Sequence, residues 1–485
     1  MKRNWLIAAV MMLALWAGSA ARAADDQATQ SYSKPEYDTF NSAVSEKDAA
    51  QRVKLLDDFV AKYSTSTLLP YIYQSYYLAY SELRNYLQVM TNCDKLLALG
   101  DKVDAVQGLG LARLQALELR ARVFFLALGQ RQLTTNEQFT AARNASAEGL
   151  KYVAGRQKPE GVTDEQFAQQ NTSLKSLFYS VAGFASMQVK DFKAAADSFK
   201  GALAITPNEA SLHYRLGLTY IQDYDFQRPR LQAAIDEARR KPNAEAEVAQ
   251  LTTQMTTLTG EQMDGFWEIA RAVSLKVQGE AQVRNYLKSQ LNRYQLPTCD
   301  TLIDAQLNEL ITLAGASADR PASFTIPSRA ELDKTLQENG TVDAIVNGLK
   351  AGGDTSKRTW LAACGAEFPE LGGKVFEVAA AEGAVVLKVF TASNEEAITA
   401  GTAPNLEVHV EGEPRAKLLK KDDLIAFSAG LKSFTPEPFL LVVDKAKVRE
   451  DTLPAMEKPP AKAPAKKAPA KRPPTKRPPA KPAGL

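Results

Sequence analysis

Residues 176–220 read SLFYSVAGFASMQVKDFKAAADSFKGALAITPNEASLHYRLGLTY. Tyr179 and His213 stand 34 residues apart, as do Gly183 and Gly217, and Ala195, Phe199, Ala202 and Pro207 fall between them. The apolar spacing is that of a helix pair followed by the first helix of another. Gly183, Ala195 and Ala202 are small where the two helices of a pair must come close. Phe199 fills the gap against the next helix. Pro207 halts the second helix because it has no amide hydrogen to donate.

Working outward, the region from Asp48 to about Gly315 is rich in Ala, Leu, Gln, Glu and Lys, with short polar breaks. Val53, Leu56, Phe59 and Tyr63 mark one apolar helix face. A helical region of this length predicts an internal repeat. The order Tyr179, Gly183, Ala195, Phe199, Ala202, Pro207, resumed by Gly217 and Tyr220, resembles the tetratricopeptide repeat. Ser186 and Ala182 depart from that family's preferred tyrosine and leucine. The clearest unit is 176–209. The next, 210–243, meets Gln227-Arg228-Pro229, which predicts a second helix starting a few residues late. Divergent pairs are expected around Tyr73, Tyr80 and the Asn85-Tyr86 turn, with Cys93 at the second aromatic position, and at Gly110 to Val153 and Gln262 to Leu291. The stretch LLDDFVAKYSTST resembles a helix ending found in exported members of the family, with Ser64 in place of proline. Four to six pairs are expected, and at least three are needed because one pair cannot bury its own apolar face.

The two ends of the chain differ from its body. Residues 1–23 place Lys2 and Arg3 before an apolar run and end in Ala21-Arg22-Ala23, the layout of a cleaved secretory signal. Residues 24–47 read as a flexible segment. From Glu457 onward nine basic residues against one acid give the tail +8; the signal carries +3, so the chain's net +3 leaves −8 for the body. The tail, 451–485, alternates Pro, Lys, Arg and Ala without apolar periodicity and is expected to be disordered. Three cysteines are too few for a disulfide-built scaffold. Cys299 and Cys364 are the favoured pair in an oxidising compartment, and Cys93 reads as a small core residue.

Residues 316–353 read as a linker with short helices near Ala330 to Leu336 and Val342 to Leu349. Residues 354–450 read as a small β domain. Strands are expected at Lys374 to Val378, Ala384 to Phe390, Leu406 to Glu411, Leu424 to Leu431 and Phe439 to Val443, with a helical piece near Arg415 to Leu419. The closing half, LLKKDDLIAFSAGLKSFTPEPFLLVVDKAKV, resembles an OB-fold domain, with Asp422 in place of a glycine. The fold class expected is thus mainly α: a helical-repeat solenoid of tetratricopeptide type, then an OB-like barrel and the basic tail.

Two histidines in the chain leave little for catalysis. His213 reads as a packing residue and His409 as a solvent-facing one. The phosphate-loop, zinc-helix and nucleophile-elbow motifs are missing from the sequence, and GLGLAR at Gly108 lacks a preceding strand. No catalytic, cofactor-binding or metal-binding residue is therefore assigned. The resemblance instead implies a binding groove lined by the first helix of each unit: Leu177, Ser180, Phe184 and Gln188, then Ser211, Tyr214, Leu218 and Gln222. This lining is neutral and largely apolar, unlike the lysines and asparagines of the family's subset that clamps a terminal carboxylate. An extended or helical protein segment with apolar anchors is the expected ligand. The export signal implies a periplasmic or secreted scaffold of the cell envelope. The tail adds a second expected contact, with an anionic envelope surface. The alternative is a nucleic-acid-binding protein using tail and barrel. Glu407 and Glu411 on the third strand, opposed by Lys388 and Phe390, argue against it.

Overall fold

A computed structural model describes residues 32–100, 103, 112–296, 299–322, 324–338, 340–381 and 384–455. The expected signal, Gly108 and Gly110 of GLGLAR, and the tail from 456 onward lie outside these residues. The chain divides into two compact units. One runs to Arg293 and resumes at Asp304–Ile326, and the other comprises Tyr294–Ile303 and the chain from Pro327.

The first unit is a helical-repeat array. Its helices are α1 (Lys34–Ser45), α2 (Ala49–Lys62), α3 (Leu69–Glu82), α4 (Tyr86–Leu97), α5 (Ala112–Gly129), α6 (Asn136–Gly155), α7 (Asp164–Gln188), α8 (Phe192–Ile205), α9 (Ala210–Ala238), α10 (Glu245–Ser274), α11 (Glu280–Gln295) and α12 (Asp300–Ala316), the last two shared with the second unit. Helix starts follow capping chemistry. Ser33, Thr135 and Thr163 each form a reciprocal box with Glu36, Gln138 and Gln166, and Asn85 and Asp191 cap α4 and α8. The repeat is also written in its turns. Arg84, Arg131, Lys190 and Lys276 all adopt left-handed φ between 55 and 62°. The following amide in each case donates to a carbonyl five residues back (Asn85 to Tyr80, Gln132 to Ala127, Asp191 to Ser186, Val277 to Ala272, 2.8–3.0 Å). That is one helix-ending motif used four times without glycine.

Aromatic rings seated on glycines set the helix spacing. A Cβ on Gly183 would meet the Phe199 ring at 2.7 Å, one on Gly149 the Phe178 ring at 2.7 Å, and one on Gly201 the Tyr179 ring at 2.7 Å. Ala195, Phe199 and Ala202 are fully buried, as the close approach of α7 and α8 requires. At Gly217 the contact is between backbones, since a Cβ there would lie 2.7 Å from the Gly265 carbonyl oxygen.

In the first unit three sequence expectations need correction. The segment 24–47, read as flexible, contains α1. Its capping box starts the helix, and Phe40 packs edge-on against Phe59 and Tyr71 at 6.3 and 6.1 Å. No separate second helix follows Pro229 in 210–243. Instead α9 runs unbroken through it and pairs with α10. Residues 225 and 227–230 are exposed, so water can satisfy the carbonyl that proline leaves without a donor. The third concerns 316–353, read as a linker, of which 317–326 is fastened to α10. Trp267 Nε1 donates to the Ala318 carbonyl (3.3 Å), its ring meets Phe324 at 5.3 Å, and Arg320 binds Asp264 (2.7 Å).

The second unit contains α13 (Arg329–Glu338), α14 (Val342–Lys350), α15 (Gly353–Ala363) and α16 (Glu395–Ala400). Its strands are β1 (Glu367–Ala381), β2 (Ala384–Phe390), β3 (Leu406–Glu411), β4 (Leu424–Pro436) and β5 (Phe439–Val448). Helix α15 occupies the start of the stretch expected to be β, because Thr359 packs its methyl and hydroxyl onto Gly348 of α14. The strands close in the order β1-β2-β3-β5-β4, with β3 and β5 parallel and the other pairs antiparallel. This is the OB-like arrangement. Val375, Leu387, Val389, Val408 and Val443 fill it, and Ile345 and Leu349 of α14 pack into the same core. Asp422 takes φ +75° and donates its amide to the Val375 carbonyl (2.8 Å), adopting the conformation that a glycine would favour there. Cys299 and Cys364 are disulfide-bonded, 65 residues apart in sequence.

Two stability outcomes follow. Gly217→Ala should cost about 1–3 kcal/mol in chemical denaturation through backbone overpacking. Gly260→Ala, at a helical position with nothing within 4 Å of its Cβ, should gain up to about 1 kcal/mol. Equal effects would refute the close-approach account. Replacing Cys299 and Cys364 by serine should cost about 4 kcal/mol in the unfolding of the second unit by loop-closure entropy, and an unchanged midpoint would contradict this.

Candidate functional site

Three helices that each follow a completed pair, α5, α7 and α9, meet through their side chains. Phe184 of α7 packs edge-on against Phe124 and Phe125 of α5, each at 6.0 Å. The guanidinium of Arg215 on α9 lies over both Phe125 (4.8 Å) and Phe184 (5.2 Å). Tyr214, adjacent to Arg215 in sequence, is half-buried, and the pKa of Tyr286 on α11 is pushed up to about 12, by burial first and by Tyr214 second. A continuous contact thus runs from Phe125 through Phe184 to Arg215.

Of the residues that the sequence assigned to the groove, Leu177, Ser180, Phe184, Ser211, Tyr214 and Leu218 are half-buried and Gln188 and Gln222 are exposed. Leu177 and Phe184 also pack against the core beneath α5–α7, and Leu218 against the core of α8–α9. Ser180 donates to the Ser176 carbonyl (2.7 Å) and Ser211 to Glu209 (2.9 Å), so neither hydroxyl proton is free. The sequence reading missed Phe125, Arg215 and Tyr286. Arg215 carried a signal, as the lone charge in the apolar run Ser211–Tyr220. Phe125 and Tyr286 lie in units too divergent for the spacing rule to reach.

His213, which the sequence assigned to packing, is buried and bonded at both ring nitrogens. Nδ1 donates to Glu268 Oε2 (2.5 Å) and Nε2 to the Pro207 carbonyl (2.8 Å). Both partners only accept, so the ring is doubly protonated when both bonds are made. Burial disfavours the charged ring, but the Glu268 and Pro207 hydrogen bonds outweigh it and the pKa is raised. Pro207 therefore stops α8 and also anchors α9.

On the barrel, the outward faces of β1, β2 and β3 carry Glu377, Lys388 and Glu407 in one row. Lys388 pairs with Glu377 (3.2 Å), and Glu407 accepts from His409 (2.8 Å). Glu411 is exposed, and Phe390 lies against Gly401. The face offers carboxylates, a neutralised lysine and a covered ring. Among the described residues no group of three or more His, Cys, Asp or Glu is placed to hold a metal ion. No family model matches the chain, and no curated protein matches it either.

His213 gives a pH outcome. Its folded pKa is raised above the ordinary 6.5, so its stabilising contribution is complete below that pH and is lost as pH rises through the folded value. Unfolding free energy should fall over that range in the native chain, and His213→Gln should remove this component of the slope. An identical pH profile in the variant would refute the buried ion pair.

Proposed function

We propose that this chain is an exported, non-catalytic scaffold of tetratricopeptide type whose first-helix face captures a segment of a partner protein in the cell envelope. One observation carries this reading: Phe125 of α5, Phe184 of α7 and Arg215 of α9 stack on one another, beside the half-buried Tyr214. Half-buried aromatics offer large apolar area at small entropic cost, the property that makes such residues binding hot spots. The disulfide supports an oxidising compartment. The basic tail supports a second, weaker tether to an anionic envelope surface, at about 1 kcal/mol for each cation near such a surface. The carboxylates on the barrel face favour a protein contact or a capping role for that domain over phosphate binding.

The test places photo-crosslinkers at the exposed Gln188 and Gln222 of the full chain in cells. Crosslinking from both positions should capture the same partner, and Phe184→Ala with Tyr214→Ala should abolish it while the thermal transition stays cooperative. Capture undiminished by the double substitution would sink the groove. Amino-terminal sequencing of the mature form should begin at Ala24, whereas a cytoplasmic chain starting at Met1 would refute export.

A further inference from the structure

Among the described residues Arg215 is a cation with no salt-bridge partner. Its Nη1 is buried and meets no acceptor. Among the described residues its guanidinium makes no hydrogen bond and no ion pair. Other arginines with a buried orphan nitrogen are held elsewhere: Arg113 by Glu148, Arg156 by Gln170 and Arg271 by the Ala314 carbonyl. Arg120, which is buried, lies in a two-bond pair with Asp94. For Arg215 burial pulls the pKa down and Glu209 offsets this only in part. The Glu209 carboxylate is engaged by the Ser211 hydroxyl and amide.

Removing a charge from water without a partner is costly, and two aromatic faces return only part of that cost. The rings of Phe125 and Phe184 do something further. They hold the position of a guanidinium that remains half-buried, 4.8 and 5.2 Å from the two ring centroids. The planar fork of a guanidinium held in place is matched by a carboxylate, which can accept two parallel N–H bonds. We propose that Arg215 is a carboxylate subsite, which takes the side-chain carboxylate of an Asp or Glu in an internal segment of the partner, with that segment's adjacent apolar residues lying on Phe184 and Tyr214. This rests on the groove reading and adds the chemistry of the ligand: an acidic-apolar peptide. It also explains how an otherwise neutral lining imposes direction and register.

The test selects C-amidated random dodecapeptides on the full chain and keeps those whose binding is lost with Phe184→Ala/Tyr214→Ala. The retained peptides should carry Asp or Glu beside aromatic or aliphatic residues. Changing that acid to its amide, or Arg215→Met, should each weaken binding about tenfold or more, and the two together no further than either alone. Arg215→Met should leave the thermal midpoint unchanged or raised, since it replaces an uncompensated charge with an apolar chain on the same rings. Groove-dependent peptides without acids, or peptides indifferent to Arg215→Met, would overturn the subsite and leave the groove standing. Recovery of no groove-dependent peptide would overturn both. A midpoint lowered by Arg215→Met with binding unchanged would make Arg215 a structural residue and end the proposal.

Discussion

Aromatic rings resting on glycine backbones are the contact on which the helical array depends. Phe178 on Gly149, Tyr179 on Gly201 and Phe199 on Gly183 bring α6, α7 and α8 closer than a methyl group at those glycines would permit. At α9 and α10 the ring disappears and the two backbones touch at Gly217 and Gly265. These approaches fix how α6, α7 and α8, and α9 and α10, pack together; Phe125, Phe184 and Arg215 stack on one another across α5, α7 and α9. The proposed binding face lies on the helices whose packing these contacts set.

This constraint governed what the sequence could reveal. Where ring and glycine recur at 34 residues, as at Tyr179/His213 and Gly183/Gly217, the helix pair and its small-residue contacts were readable outright. Where Cys93 replaces an aromatic, the fold persists through caps and left-handed turns, which carry no strong signature when arginine or lysine fills the αL position. Pro229 misled because its cost depends on exposure, which the sequence does not state. The barrel was legible through alternation in Leu406–Glu411. Asp422 obscured its glycine position while still adopting the glycine conformation. Helix α1 was hidden because its aromatic partners, Phe59 and Tyr71, belong to other helices.

The candidate site was half legible. The resemblance placed Phe184, Tyr214 and Leu218 on a first-helix face, but could not say that Phe184 spends part of its ring on Phe124 and Phe125, or that Arg215 bridges two helices. Such facts depend on contacts between units, and one unit's sequence contains only one side of each. His213 shows the same limit. Its size fits a packing position, yet its bonds to Glu268 and Pro207 make it an ion pair that ties α9 to its neighbours.

A face built in this way should be recognised by where a partner slows exchange. Hydrogen exchange of the full chain, with and without the captured partner, reads that directly. The account predicts added protection concentrated in α5, α7 and α9 with the barrel unchanged; protection confined to β1–β3 and absent from those helices would contradict it.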